Sequence, residues 1–169
     1  MNLLLIALLG GCSGLRALTP IAVLCWFAYR GQLHFTGWRS SFATSLISVG
    51  IFTALALSEL ISDKLPKTGS RLAPPSLVVR SLFGAFTGLL LAQVLVLNVP
   101  VAIVLGIVGA LIGSYVGWFV RTKLSTVVKS DLPVALLEDV ITIGLSITFL
   151  HLVAVHSTLF AGNEGIYLR

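Results

Sequence analysis

Five apolar stretches, each close to the length that crosses a bilayer, occupy most of this chain: residues 3–29 (interrupted), 42–61, 76–97, 99–120 and 133–155. A helix of about 20 apolar residues spans a ~30 Å hydrocarbon core, and it satisfies its own backbone polar groups there. The charged fraction is only 10%, with 57% hydrophobic residues, whereas soluble domains carry about a quarter charged residues. The spans leave no room for a separate soluble domain. The sequence therefore predicts an all-α, polytopic membrane bundle of about five transmembrane helices, forming a single domain over 1–169.

The net charge of +5 does not point to nucleic acid, because the basic residues sit at span ends and are not interleaved with aromatics. The lipid bilayer is the expected partner. With five spans, the N-terminus and the 62–75 and 121–132 loops share one side, which carries Lys64, Lys67, Arg71, Arg80, Arg121, Lys123 and Lys129. The other side holds Arg30, Arg39 and Arg169. Lys and Arg accumulate on cytoplasmic loops, so this asymmetry predicts a cytoplasmic N-terminus and a C-terminus outside.

The first span contains an insert that its neighbours lack, "LLGGCSGLRALTP" (Leu8 to Pro20). A straight helix over 3–29 would be about 40 Å long, more than a bilayer core needs. Thr19-Pro20 resembles a helix start, with a capping hydroxyl and a proline tolerated in the first turn. The expectation is two half-helices, 3–9 and 20–29, with 10–19 unwound at depth. One tilted helix kinked at Pro20 is the alternative. "MNLLLIALLGGC" also resembles a lipoprotein signal, but the Met-Asn start lacks the positive charge such signals carry. The expectation is that it is retained.

Ionisable groups within a span cost about 2.5–3.5 kcal/mol on insertion and usually pair or line a wet cavity. Glu59, Asp63, Arg80, Arg121, Glu138 and Asp139 fall near span ends on the same predicted side, so they can meet in one layer with Arg80 and Arg121 as counter-ions. Such a layer is either a boundary network that fixes helix register or part of an ion or proton path. Arg16 would lie roughly 20 Å along the first helix, above that layer. With Ser13, Gly14 and Thr19 it would form a polar pocket, whose free N–H groups favour an anion or polar head group.

Gly106, Gly109, Gly113 and Gly117 form a stripe of small residues in span four. Such stripes let backbones approach closely, here within the bundle or across a dimer. Cys12 and Cys25 are expected to be buried and inert. No Cys/His spacing suggests zinc, and His151 suits an interhelical hydrogen bond better than ligation. With no Ser-His-Asp set and no phosphate-cradling loop, the sequence predicts no enzyme, cofactor or metal. A faint inverted symmetry relates "LLGGCSGLRA" to "LIGSYVGWFVR", with acidic sites in spans two and five.

Three segments carry a family resemblance: "GLRALTP" at 14–20, "ELISDKLPKTGSRL" at 59–72 and "ALLEDVITIGLS" at 135–146. They contain Gly14, Leu15, Arg16 and Ala17; Glu59, Asp63, Lys64 and Pro66; and Leu137, Glu138 and Asp139. The chain resembles a family of small bacterial integral membrane proteins catalogued as domain of unknown function 4126. The resemblance covers most of the chain and implies a multi-pass protein of the inner membrane, without a substrate or reaction. Cys12 and the more basic 62–75 loop depart from the family pattern.

Taken together, these residues favour a small channel or secondary transporter for a small ion or polar solute, assembled as a homo-oligomer. Arg16 and the broken first helix would form the site, with Glu59, Asp63, Glu138 and Asp139 as a gate or proton-coupling layer. The rival expectation is a structural or assembly subunit of a larger membrane complex, which the glycine stripe suits equally well. A third, a membrane enzyme using Glu138 and Asp139 on lipid head groups, lacks an accompanying nucleophile or metal set.

Overall fold

The computed structural model describes residues 1–35, 42–63, 72–128 and 131–164. They form six helices: α1 (Asn2–Leu15), α2 (Thr19–Tyr29), α3 (Leu46–Ser62), α4 (Pro74–Val94), α5 (Val99–Val128) and α6 (Asp131–Glu164). Among the described residues there is no strand. α4, α5 and α6 are long and apolar enough to cross a membrane; α1, α2 and α3 are shorter apolar helices. The polytopic helical bundle expected from the sequence is therefore the fold.

Local chemistry sets the helix ends. The Ser45 hydroxyl accepts a hydrogen bond from the Ile47 N–H at 3.2 Å and caps α3. α4 opens on Pro74-Pro75, where a missing N–H forfeits no helical bond. Its far end closes with the Leu97 N–H donating to the Ala92 carbonyl at 2.9 Å. Val96 sits between them at φ 51, the left-handed position that such a helix stop requires and that glycine normally fills. The turn between α4 and α5 is tight and uncharged.

The break in the first apolar stretch falls inside the expected Gly10–Pro20 interval, but it is narrower than 10–19. α1 continues through the glycines to Leu15, and Arg16 is the first extended residue, at φ −138 and ψ 111. Gly10, Gly11 and Gly14 stay helical because they are packing positions. A methyl group on Gly10 would lie 2.5 Å from the Gly106 carbonyl oxygen, and one on Gly14 would strike the backbone of Ala110 and Ser114. Gly109 meets Ala7, Gly113 meets Gly11, and Gly106 also meets Gly84 of α4. These three members of the stripe are used within one chain, not held open for a dimer. Gly117 is also buried.

The same contacts fix direction. Residues 7, 11 and 14 of α1 rise beside 109, 113 and 114 of α5, so α1 and α5 run parallel. α2 runs the other way. Ala17 and Leu18 touch Glu59 of α3, whereas Trp26 donates to the Thr53 hydroxyl one to two turns earlier in α3, at 3.1 Å. α2 also follows α6 upward, from the Arg16–Asp139 pair to a groove shared by Phe27 and His151. α1 and α2 thus form a hairpin with Arg16–Leu18 at its tip.

This corrects the sequence-based expectation that the first apolar stretch crosses the bundle once. The two pieces of the broken helix fold back instead of continuing in line, so the start of α1 and the C-terminal half of α6 lie at one end of the bundle. The end of α3, the start of α4, the end of α5 and the start of α6 lie at the other. The apolar core occupies the first end and includes Leu5, Leu9, Leu24, Leu91 and Leu150. The loop calls involving Arg39, Lys64, Pro66, Lys67, Arg71, Lys129 and Arg169 lie outside the described residues.

Candidate functional site at the hairpin tip

The hairpin tip carries Arg16, the largest fully buried side chain among the described residues, at 0% exposure. Its Nη1 pairs with Asp63 Oδ2, at the end of α3, and its Nη2 with Asp139 Oδ1, on α6. Arg121, from α5, approaches the same Asp63 oxygen at 3.5 Å. Two carboxylates from two helices therefore hold one guanidinium.

The backbone that leaves the helical ladder is satisfied by neighbouring helices. The Ala17 and Leu18 N–H groups donate to the two oxygens of the Glu59 carboxylate, at 2.7 and 2.9 Å. On the other side of the break, Arg80 donates through Nη1 to the Gly14 carbonyl, and to the Leu15 carbonyl at 2.7 Å. Ser114 adds a hydroxyl on the Gly14 carbonyl at 3.1 Å, and Ser76 steadies Arg80 by accepting from Nε at 3.2 Å. Non-helical backbone is tolerated at membrane depth only where it is satisfied in this way.

Two expectations need correction. Arg16 is not above the acidic layer but within it. The 14 residues of α1 rise about 21 Å, close to the expected depth, but the hairpin enters from the opposite end of the bundle. Thr19 is not a side-chain cap: the N-cap of α2 is Leu18, with no side-chain hydrogen bond. The anion that the free N–H groups favour is supplied by the chain itself, as Glu59. Ser13 stands apart from the cluster, its hydroxyl 3.2 Å from that of Thr87.

The layer does bring together the predicted Arg16, Glu59, Asp63, Arg80, Arg121 and Asp139, with Glu138 beside them on α6. Glu138 and Arg121 border an otherwise apolar cleft of about 220 Å³ between α5 and α6, which Gly117 and Leu15 also line. Among the described residues this is three guanidinium groups facing four carboxylates. Arg16 Nε and the Thr19 hydroxyl are buried without a hydrogen-bond partner among the described residues. No group of three His, Cys, Asp or Glu side chains converges as a metal site among the described residues.

Every element of this arrangement lies within the stretch matched by one family model, the domain of unknown function DUF4126, which covers residues 3–162. The chain belongs to the DUF4126 family. No curated protein and no solved structure matches it. For this DUF4126 member the site must therefore be argued from its own chemistry. Sequence reasoning missed Ser76, Thr87 and Ser114, whose hydroxyls support the tip or the helix behind it. Ser114 could have been found, since it follows Gly113 in the close-packing stripe.

Proposed function

We propose that this protein is a small channel or secondary transporter for a small ion or polar solute, gated at the α1–α2 hairpin tip. One observation carries the reading: a fully buried arginine on a broken helix, held by acids from two other helices. Buried ion pairs repay their desolvation poorly, and apolar residues of similar volume serve a scaffold as well or better. Broken helices at depth, by contrast, are a recurring device for ion and substrate sites in transporters. The buried, unpartnered Arg16 Nε and Thr19 hydroxyl are the groups a passing solute or water would engage.

In this reading α3, α4, α5 and α6 cross the bilayer, and the α1–α2 hairpin re-enters from the far side. Arg80 lies about 9 Å inside α4 and Asp139 about 12 Å inside α6, from the helix rise. The charged layer then closes a shallow vestibule on one face, and release of Arg16 from Asp63 or Asp139 would open it. Among the described residues that face carries Arg80, Arg121 and Lys123 against Arg30 at the other, which supports a cytoplasmic assignment in the inner membrane, with the start of α1 outside. A homo-oligomer would assemble on the outward faces of α5 and α6, which the bundle leaves mostly open. The rival reading as an assembly subunit loses its main motive, because Gly106, Gly109 and Gly113 are occupied by α1 and α4.

The test is flux in proteoliposomes, with dye readouts for protons, potassium and chloride. The reading expects a flux in the wild-type protein that Arg16→Ala and Glu138→Gln both change by at least about tenfold. That corresponds to roughly 1.4 kcal/mol. Flux unchanged from the wild type in both variants would overturn it.

A further inference from the structure

Opposite the charged layer, α2 and α6 enclose a groove of about 440 Å³. His151 lies about 30 Å along α6, from the helix rise, which is the thickness of a hydrocarbon core. With the start of α6 at one membrane boundary, as in the topology proposed above, the groove sits near the second. Its polar lining is Arg30, Gln32, His151 and the Trp26 indole, and its apolar lining includes Phe27 and Ile147. Arg30 is the C-cap residue of α2, and its guanidinium carbon stands 5.8 Å from the Trp26 ring centroid.

Charge at this level is one-sided. Of the chain's six acidic residues, Glu59, Asp63, Glu138 and Asp139 belong to the hairpin-tip layer, and Asp131 opens α6 at that same end. Glu164 lies beyond His151 by about 20 Å of helix. A phosphodiester in the groove would meet arginine, amide and imidazole with no competing carboxylate at its level among the described residues. Arginine suits phosphate because its planar donors bind two oxygens at once. Tryptophan suits the headgroup boundary, and apolar lining beside such polar groups matches an acyl chain.

We propose that this groove is a binding site for one anionic phospholipid. The phosphodiester sits between Arg30 and His151, within reach of the Gln32 amide, and one acyl chain lies along Phe27 and Ile147. The site is separate from the hairpin tip and does not depend on the transport reading.

Native mass spectrometry of the full chain, titrated in detergent with phosphatidylglycerol or phosphatidylcholine, tests this. The wild-type protein should retain phosphatidylglycerol preferentially, and Arg30→Ala should weaken retention by about tenfold, as loss of a hydrogen bond to a charged group does. Arg30→Lys should keep part of it. Lys123→Ala, which removes an exposed cation at the opposite boundary, should leave it unchanged. Inorganic phosphate at millimolar concentration should not displace the lipid. Equal retention of both lipids, displacement by phosphate, or unchanged retention in both Arg30→Ala and His151→Ala would overturn the proposal.

Discussion

Asp139, two turns into α6, is ion-paired with the Arg16 guanidinium at the tip of the α1–α2 hairpin. It ties the last helix of the bundle to the only break in its first apolar stretch. Asp63 ties the end of α3 to the same group. Because both carboxylates are almost buried, at 12% and 8% side-chain exposure, removing either leaves part of the buried charge without compensation.

Asp139→Asn should therefore destabilise the folded protein by about 3–5 kcal/mol, the usual cost of breaking one side of a buried pair. Chemical unfolding in detergent would measure it. Arg16→Met combined with Asp139→Leu should recover a large part of that loss, since the pair is then replaced by apolar side chains. Full additivity of the two substitutions would show that the residues do not interact.

Glu59 acts on backbone rather than on another side chain. Glu59→Ala should expose the Ala17 and Leu18 N–H groups, costing about 1–3 kcal/mol for each buried donor left unmet. Hydrogen exchange should accelerate at those two amides and much less at the mid-helix amides of α1. Unchanged protection at Ala17 and Leu18 would mean that another group caps them.

The glycines separate into two sets. Gly113→Ala or Gly106→Ala should destabilise the monomer by about 1–3 kcal/mol through overpacking, because an added methyl meets backbone that cannot yield. Gly50→Ala and Gly144→Ala meet nothing within 4 Å and should be neutral or stabilising by up to about 1 kcal/mol. Thermal unfolding of the four variants at one detergent concentration distinguishes them. A shift in oligomeric state without a change in monomer stability would place the stripe at a subunit interface instead.

Much of this was legible beforehand. Apolar length gave the membrane bundle, and the placement of Glu59, Asp63, Arg80, Arg121 and Asp139 at corresponding span ends gave their convergence. That the first apolar stretch breaks between Gly10 and Pro20 was legible as well, and α1 ends there, at Leu15. Its direction of entry was not, because hydropathy is blind to whether two short helices continue in line or fold back. That choice depends on tertiary contacts, Trp26 with Thr53 and Glu59 with Ala17 and Leu18. The glycines misled for a related reason: flexibility and close packing call for the same residue, and here Gly10, Gly11 and Gly14 serve packing.

Sidedness of labelling tests the hairpin most directly. In a Cys12→Ser, Cys25→Ser background, single cysteines at Asn2, Gln32 and Thr126 would be challenged with an impermeant maleimide from each face of sealed vesicles. Asn2→Cys and Gln32→Cys should react from one face and Thr126→Cys from the other. Reaction of Asn2→Cys and Gln32→Cys from opposite faces would mean that the first apolar stretch crosses the membrane, and the buried turn at Arg16 would be contradicted.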